Sequence, residues 1–304
     1  MEKRTFGWMR DLPDFRDVTA GTDTVPSRLS AAGQPSVRSM LLKVGAVTTT
    51  GATPKLALPV SVDLKASCSP IEDQGDIGSC TAHAAIGMLE YFERKSFGKH
   101  IDGSRLFLYK VTRNIMQTTG DTGAYLRNVM GALTLFGVPP ENFYPYDTSK
   151  FDDEPSAFLY SFAQNFQALS YYRLDTPGVS NSALLTAIKT NVFKGLPAMF
   201  GFTVYSSYAQ AETNGGCFPF PTRNDYLDGG HAMLVVGYDD NKKIINTNTG
   251  GTQTTGALLI RNSWGTSWGQ GGYGWLPYQY VTAGLTSDWW SMVKAEWVDS
   301  GQFV

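Results

Sequence analysis

The stretch Gln74-Gly-Asp-Ile-Gly-Ser-Cys80, running straight into Thr81-Ala-His-Ala-Ala-Ile-Gly-Met-Leu-Glu-Tyr-Phe92, constrains this chain most. Gly75 and Gly78 suit a tight loop that brings backbone N–H groups close to a ligand. From Cys80 onward, Ala82, Ala85, Ile86, Leu89 and Phe92 recur at helical spacing, and Glu90, Glu93 and Arg94 fall mostly off that stripe. A cysteine therefore sits where a loop becomes a helix. The positive end of the helix dipole favours a thiolate there. An activated thiolate needs a base and donors for an oxyanion. The remainder of the sequence has to supply them.

Composition narrows the classes. The 304 residues can bury a large core, in one large domain or two. With 42% hydrophobic and 17% charged residues and a net charge of −2, there is no basic excess to suit nucleic acid. No run of 18 apolar residues suits a membrane span. Three scattered histidines without a paired CxxC provide no metal set, no nucleotide-binding glycine motif is present, and no cofactor is expected. Three cysteines leave two arrangements: a working Cys80 beside a Cys68–Cys217 disulfide, or three reduced thiols. Residues 1–10 lack an apolar h-region, so no secretory signal is expected. A monomer is expected.

Taken in order, residues 1–57 differ from the rest. They are rich in Thr, Ser, Gly, Ala and Pro from 19 to 53, apart from the apolar run Met40-Leu-Leu-Lys-Val44, and read as a tethered extension. Phe6-Gly-Trp8 and residues 11–15 read as short docking elements. The extension carries eight basic and five acidic residues, whereas 58–304 carries 17 and 22. Two readings stand: a disordered tail, or, since opposite signs favour its lying on the body, a pro-segment or plug across a groove. The body opens with a strand near 58–64. Helices follow at Cys80, around 104–116, and over 125–136, the last ended by Gly137 and the prolines beyond it. After residue 150 the pattern turns to strands at 171–174, 198–204, 231–238, 243–245, 257–262, 272–276 and 289–298, with a short helix at 182–190. The expected class is α+β, a helical half (58–150) followed by a β half (151–304), with a groove between them.

His231 begins an apolar strand after Asp228-Gly-Gly230, so its imidazole can face that groove. Asn262 ends the next strand of a hairpin, which places it beside His231. Its side-chain oxygen can accept the imidazole N–H and fix the tautomer, leaving the other ring nitrogen for Cys80. Trp264 and Trp268 can cover the pair and exclude water. Gln74 carries an N–H₂ donor, which with the Cys80 backbone N–H would form an oxyanion hole. His83, one turn beyond Cys80 on the same helix, is a rival base, but it has no orienting partner and reads as a packed or hydrogen-bonded histidine.

The blocks Gln74 to Cys80, Gly230-His231-Ala, Val236-Gly-Tyr238 and Arg261-Asn-Ser-Trp-Gly-Thr-Ser-Trp-Gly-Gln-Gly-Gly-Tyr-Gly274 resemble the papain/cathepsin family of cysteine peptidases, in that family's order. The resemblance implies a papain-like fold with the active-site cleft between its two halves. It implies Cys80 as nucleophile, His231 as base and then acid, Asn262 as orienter and Gln74 as oxyanion donor. It also implies a substrate-binding edge at Gly123, Ala124 and Tyr125, a cleft wall at Gly230, and a protein or peptide substrate. Ile77 and Thr81 stand where the family usually has a Cys and a Trp, so the usual disulfide of the helical half is missing. Thr81 and the opening from Trp8 to Asp17 resemble a bacterial branch of the family. Two other readings use the same groove: acyl transfer to an amine, and peptide binding without catalysis.

Overall fold

The computed structural model describes residues 4–25, 33–166 and 170–303, so residues 26–32 of the extension lie outside the described residues. The extension contributes a two-residue strand, β1 (Trp8–Met9), and a helix, α1 (Val37–Lys43). Ser36 caps α1 by accepting from the Ser39 N–H, and Val37, Met40 and Leu41 bury its inner face in the same core as the body. β2 (Ser61–Asp63) opens the body.

Helix α2 (Cys80–Phe97) is the central rod. Every residue from Cys80 to Phe92 is buried, so its stripe is apolar nearly all round, as suits a helix enclosed on every side. It stops at Gly98, which is left-handed at φ +71°, where its N–H reaches the Arg94 carbonyl. Against it pack α3 (Arg105–Ile115) and α4 (Leu126–Leu135), with the two-residue strand β3 (Ala124–Tyr125) between them in sequence, and α5 (Ala157–Ala163) follows.

The β half follows with β4 (Ser170–Arg173), α6 (Asn181–Phe193), β5 (Ala198–Tyr205), β6 (Leu227–Ile245), β7 (Gln253–Arg261), β8 (Tyr273–Pro277), α7 (Tyr278–Thr282) and β9 (Thr286–Val293). The antiparallel sheet runs β4-β9-β5-β6-β7-β8, with β2 also paired to β6. The expected strand over 289–298 is half right. β9 ends at Val293 and the chain turns into α8 (Ala295–Asp299), because Trp297 stacks flat on Phe92 of α2 at 4.8 Å. Its apolar residues form a short helical face docked on the central rod rather than one side of a strand.

One side chain joins the halves beside the groove. Arg261, the last residue of β7, donates from Nη1 to the Ser69 carbonyl (2.5 Å) and from Nη2 to the Pro70 carbonyl (2.6 Å). Gly87 on α2 makes room for it: a Cβ there would lie 3.0 Å from Arg261 Nε. Arg261→Met keeps the bulk but strips the buried Ser69 carbonyl and the part-buried Pro70 carbonyl of their donor, so it should lower unfolding free energy by about 1–3 kcal/mol in urea titration.

Candidate active site

Loop, helix and sheet converge on Cys80. Ser79 precedes it at the helix start, and the backbone N–H of Ala232, the residue after His231, faces the sulfur. β6 and β7 are paired neighbours, with Leu234 opposite Arg261. Asn262 therefore emerges next to His231, and His231 Nε2–H donates to Asn262 Oδ1 at 2.8 Å. The Ser263 N–H donates to the same oxygen at 2.9 Å, which fixes the amide's orientation. His231 Nδ1 is buried without a partner. Trp264 stacks on the imidazole at 4.7 Å, and Trp268 meets Trp264 edge-on at 5.3 Å, so the pair is shielded as the sequence suggests.

Gln74 is fully buried. Its Oε1 accepts from Ser263 Oγ at 2.7 Å, and its backbone N–H donates to the Ser263 carbonyl at 2.9 Å. Its Nε2 donates to the Ile77 carbonyl (2.9 Å) and to the Thr5 carbonyl (3.2 Å). Tyr146 OH donates to the Gln74 carbonyl (2.8 Å) and sits 2.6 Å from Ser79 Oγ, bracing the loop from outside. His83 is packed and hydrogen-bonded: its Nδ1–H donates to the Ser79 carbonyl at 3.1 Å, and Tyr146 meets its ring edge-on. Cys68, Cys80 and Cys217 are all free, so the Cys68–Cys217 pairing is not formed. Among the described residues no cluster could hold a metal ion, and no helix is long and apolar enough to cross a membrane.

The groove is occupied by residues 4–9 of the chain itself. Arg4 lies over the Trp264 ring and pairs with Glu212 at 3.3 Å, and the Thr5 carbonyl takes the Gln74 amide as above. Phe6 meets His231 edge-on at 6.0 Å. Gly7 touches the Cys80 loop so closely that a Cβ on it would lie 1.8 Å from the Gly78 oxygen, so only glycine fits. The Ala124 N–H donates to the Gly7 carbonyl at 2.8 Å, and β1 pairs parallel with β3, Trp8 beside Ala124 and Met9 beside Tyr125. Gly123, Ala124, Tyr125 and Gly230 thus all line the strip that holds residues 7–9. The Trp8 ring fills a slot walled by Gly201 and Gly230, where a Cβ would collide with it at 1.9 and 2.7 Å.

At the floor of that slot Trp8 Nε1–H donates to Asp288 Oδ2 at 3.1 Å. Asp288 stands at φ +58°, a strained conformation for a non-glycine residue. Arg173 at 3.1 Å and the Asp11 N–H hold its carboxylate, and burial pushes its pKa up to about 7. Sequence reasoning missed Asp288, because nothing local in Thr286-Ser-Asp-Trp marks it. Ser263 was within reach, as the residue after Asn262 with a hydroxyl facing Gln74.

The sequence profile of the papain family of cysteine proteases matches residues 58–291. The chain belongs to the papain family of cysteine proteases. Its structure is similar to that of xylellain, a cysteine protease from Xylella fastidiosa, at 30% identity and a TM-score of 0.70, covering 97% of this chain and 99% of that one. An uncharacterized peptidase C1-like protein of Acanthamoeba polyphaga mimivirus is 30% identical over 94% of this chain and 86% of its own. Cathepsin K of Gallus gallus is 30% identical over 71% of this chain and 58% of its own. A peptidase of this family acts on protein or peptide chains.

The covered site sets both titratable groups against ionisation. Burial pushes the Cys80 thiol up to about 11, outweighing the backbone amides of Ala232, Gly7, Thr81 and Cys80 itself, which act downward. Burial therefore outweighs the pull of the helix start on the Cys80 thiol. Burial pushes the His231 imidazole down to about 4; Asn262 acts upward and the charge of Arg4 downward. Burial thus favours the neutral thiol and the neutral imidazole. Iodoacetamide should therefore modify Cys80 slowly at pH 7 in the full chain, with the rate climbing as pH approaches the raised thiol pKa, followed by mass mapping of the Cys80 peptide.

Proposed function

We propose that this papain-family protease is an endopeptidase whose nucleophile is Cys80, with His231, Asn262 and Gln74 as its working partners, and that residues 1–57 hold it latent. The observation that carries the reading is the 2.8 Å bond from His231 Nε2 to Asn262 Oδ1, which leaves Nδ1 as the ring nitrogen without a hydrogen-bond partner, while the backbone N–H of the next residue, Ala232, faces the Cys80 sulfur. In that tautomer Nδ1 bears the lone pair and can take the thiol proton.

With residues 4–9 withdrawn, water and substrate reach the pair. Losing the burial that favours the neutral forms lets the proton pass from Cys80 to His231 Nδ1, giving thiolate and imidazolium. The thiolate attacks the peptide carbonyl. The Cys80 backbone N–H and Gln74 Nε2 receive the oxyanion, the latter at the position now taken by the Thr5 carbonyl. His231 gives its proton to the leaving amine. Neutral again, it takes a proton from the water that attacks the thioester, and returns that proton to sulfur as the acid product leaves. The substrate backbone pairs with the edge at Gly123 to Tyr125, and Gly230 lines the opposite wall.

Latency rests on the segment using each of these contacts itself: Thr5 on the oxyanion donor, Gly7 on the thiol, β1 on β3 and Trp8 in the slot. Ion pairs from Arg127 to Asp11 (2.6 Å) and Asp17, and from Arg173 to Asp17 (3.5 Å), hold the stretch that follows.

Cys80→Ala should fold normally by circular dichroism and abolish hydrolysis of fluorogenic peptides; retained hydrolysis would refute the nucleophile assignment. Trp8→Ala removes the ring from its slot and its bond to Asp288, and should raise full-chain peptidase activity by roughly ten-fold or more, a large side chain's burial being worth over 1.4 kcal/mol.

A further inference from the structure

Asn262, His83 and Arg105 line one small cavity, and each carries a buried side-chain atom without a hydrogen-bond partner: Asn262 Nδ2, His83 Nε2 and Arg105 Nε. Their residues are 4%, 5% and 3% exposed. The cavity, of about 10 Å³, has room for one water, and a buried water typically makes about three hydrogen bonds. Glu72, Arg261 and Ser263 complete its polar lining.

The donor and acceptor roles are fixed by what the three groups already do. Asn262 Oδ1 accepts from Ser263 N–H and His231 Nε2–H, so Nδ2 presents N–H donors to the cavity. Arg105 spends Nη1 on Asp102 (2.6 Å) and the Gly103 carbonyl (3.0 Å), and Nη2 on both oxygens of Glu90 (3.1 Å each). That clamp aims its remaining Nε–H. His83 carries its proton on Nδ1, since a carbonyl, that of Ser79, can only accept from it. Burial, then the charges of Arg105 and Arg261, hold its pKa down to about 3, so the ring stays neutral and Nε2 is a lone pair. Two donors and one acceptor around a one-water cavity match the oxygen and one hydrogen of a water.

We propose that one internal water, accepting from Asn262 Nδ2 and Arg105 Nε and donating to His83 Nε2, braces Asn262 from the helical half, and that His83 is thereby a positioning residue for the His231–Asn262 pair. The proposal rests on the reading of Asn262 as the orienter of His231. The water sits across the junction of the halves, with His83 on α2 and Arg105 on α3 facing Asn262 at the end of β7. An Asn262 amide turned over would face His231 Nε2–H with its NH₂ group and lose both the Ser263 bond and the water. Without the His83 acceptor, the water loses one of three partners and the amide loses part of what resists that turn. An imidazolium on His231, formed once residues 4–9 are withdrawn, then loses stabilisation from Asn262 Oδ1.

The test has two arms. Diffraction from crystals of the full chain should show a water within hydrogen-bond distance of all three atoms; no water there, or one bonded to a single protein atom, would overturn the proposal. Kinetics in the full chain carrying Trp8→Ala then compare His83→Phe with His83→Gln, whose amide oxygen reaches the place of Nε2. The Phe variant should lower kcat roughly 3- to 10-fold, the rate equivalent of one hydrogen bond, with KM little changed. The alkaline limb of its kcat profile should move to lower pH by about half a unit. The Gln variant should recover most of both. A Phe variant that matches the parent, or a Gln variant as impaired as Phe, would overturn the positioning role. The water arm reads no turnover, so its outcome is separate from the Cys80→Ala result that tests the catalytic reading itself.

Discussion

The site depends on one short hydrogen bond, from His231 Nε2 to Asn262 Oδ1 at 2.8 Å, made in the dark under Trp264. A buried imidazole with only one bonded nitrogen is oriented by that bond and by nothing else polar. The two strands that carry the pair are adjacent in the sheet, so the bond follows directly from the β6–β7 hairpin. Around it the rest is bracing. Ser263 holds Asn262 by its backbone and Gln74 by its hydroxyl, and Arg261 ties the same strand end to the loop before Cys80. Cys80 comes from the helical half and His231 from the β half, and residues 261–263 hold Asn262 and the loop before Cys80 in place.

The same geometry explains how a chain can carry a complete set of groups and still rest with them neutral. Desolvation under residues 4–9 outweighs the helix start for Cys80 and the Asn262 bond for His231.

Cys80, His231, Asn262 and Gln74 were legible in the sequence because each stands in a stretch whose local chemistry is unusual: a glycine loop before a helix, a histidine opening an apolar strand, an asparagine ending its neighbour. The α+β class was legible because apolar stripes at helical spacing dominate the first part of the body and short apolar runs between turn residues the later part. Asp288 was not, since its place under Trp8 comes from a strained residue at φ +58° within β9, where the pairing with β5 is interrupted, and from a distant Arg173. Nor was the helix after Val293, whose Trp297 answers to Phe92 some 200 positions away. His83 was read as a packed histidine; its second nitrogen acquires meaning only once Arg105 and Asn262, from two other elements, border the same cavity. The apolar run at 40–44 shows the same limit: its spacing cannot reveal that Met40 and Leu41 join the core of the body.

The most direct test of the central claim is nitrogen-15 NMR of the imidazole of His231 in the full chain. The account predicts a neutral ring, protonated at Nε2, from pH 8 down to about 5, since burial holds the pKa near 4. An imidazolium at pH 7, or a neutral ring protonated at Nδ1, would contradict it.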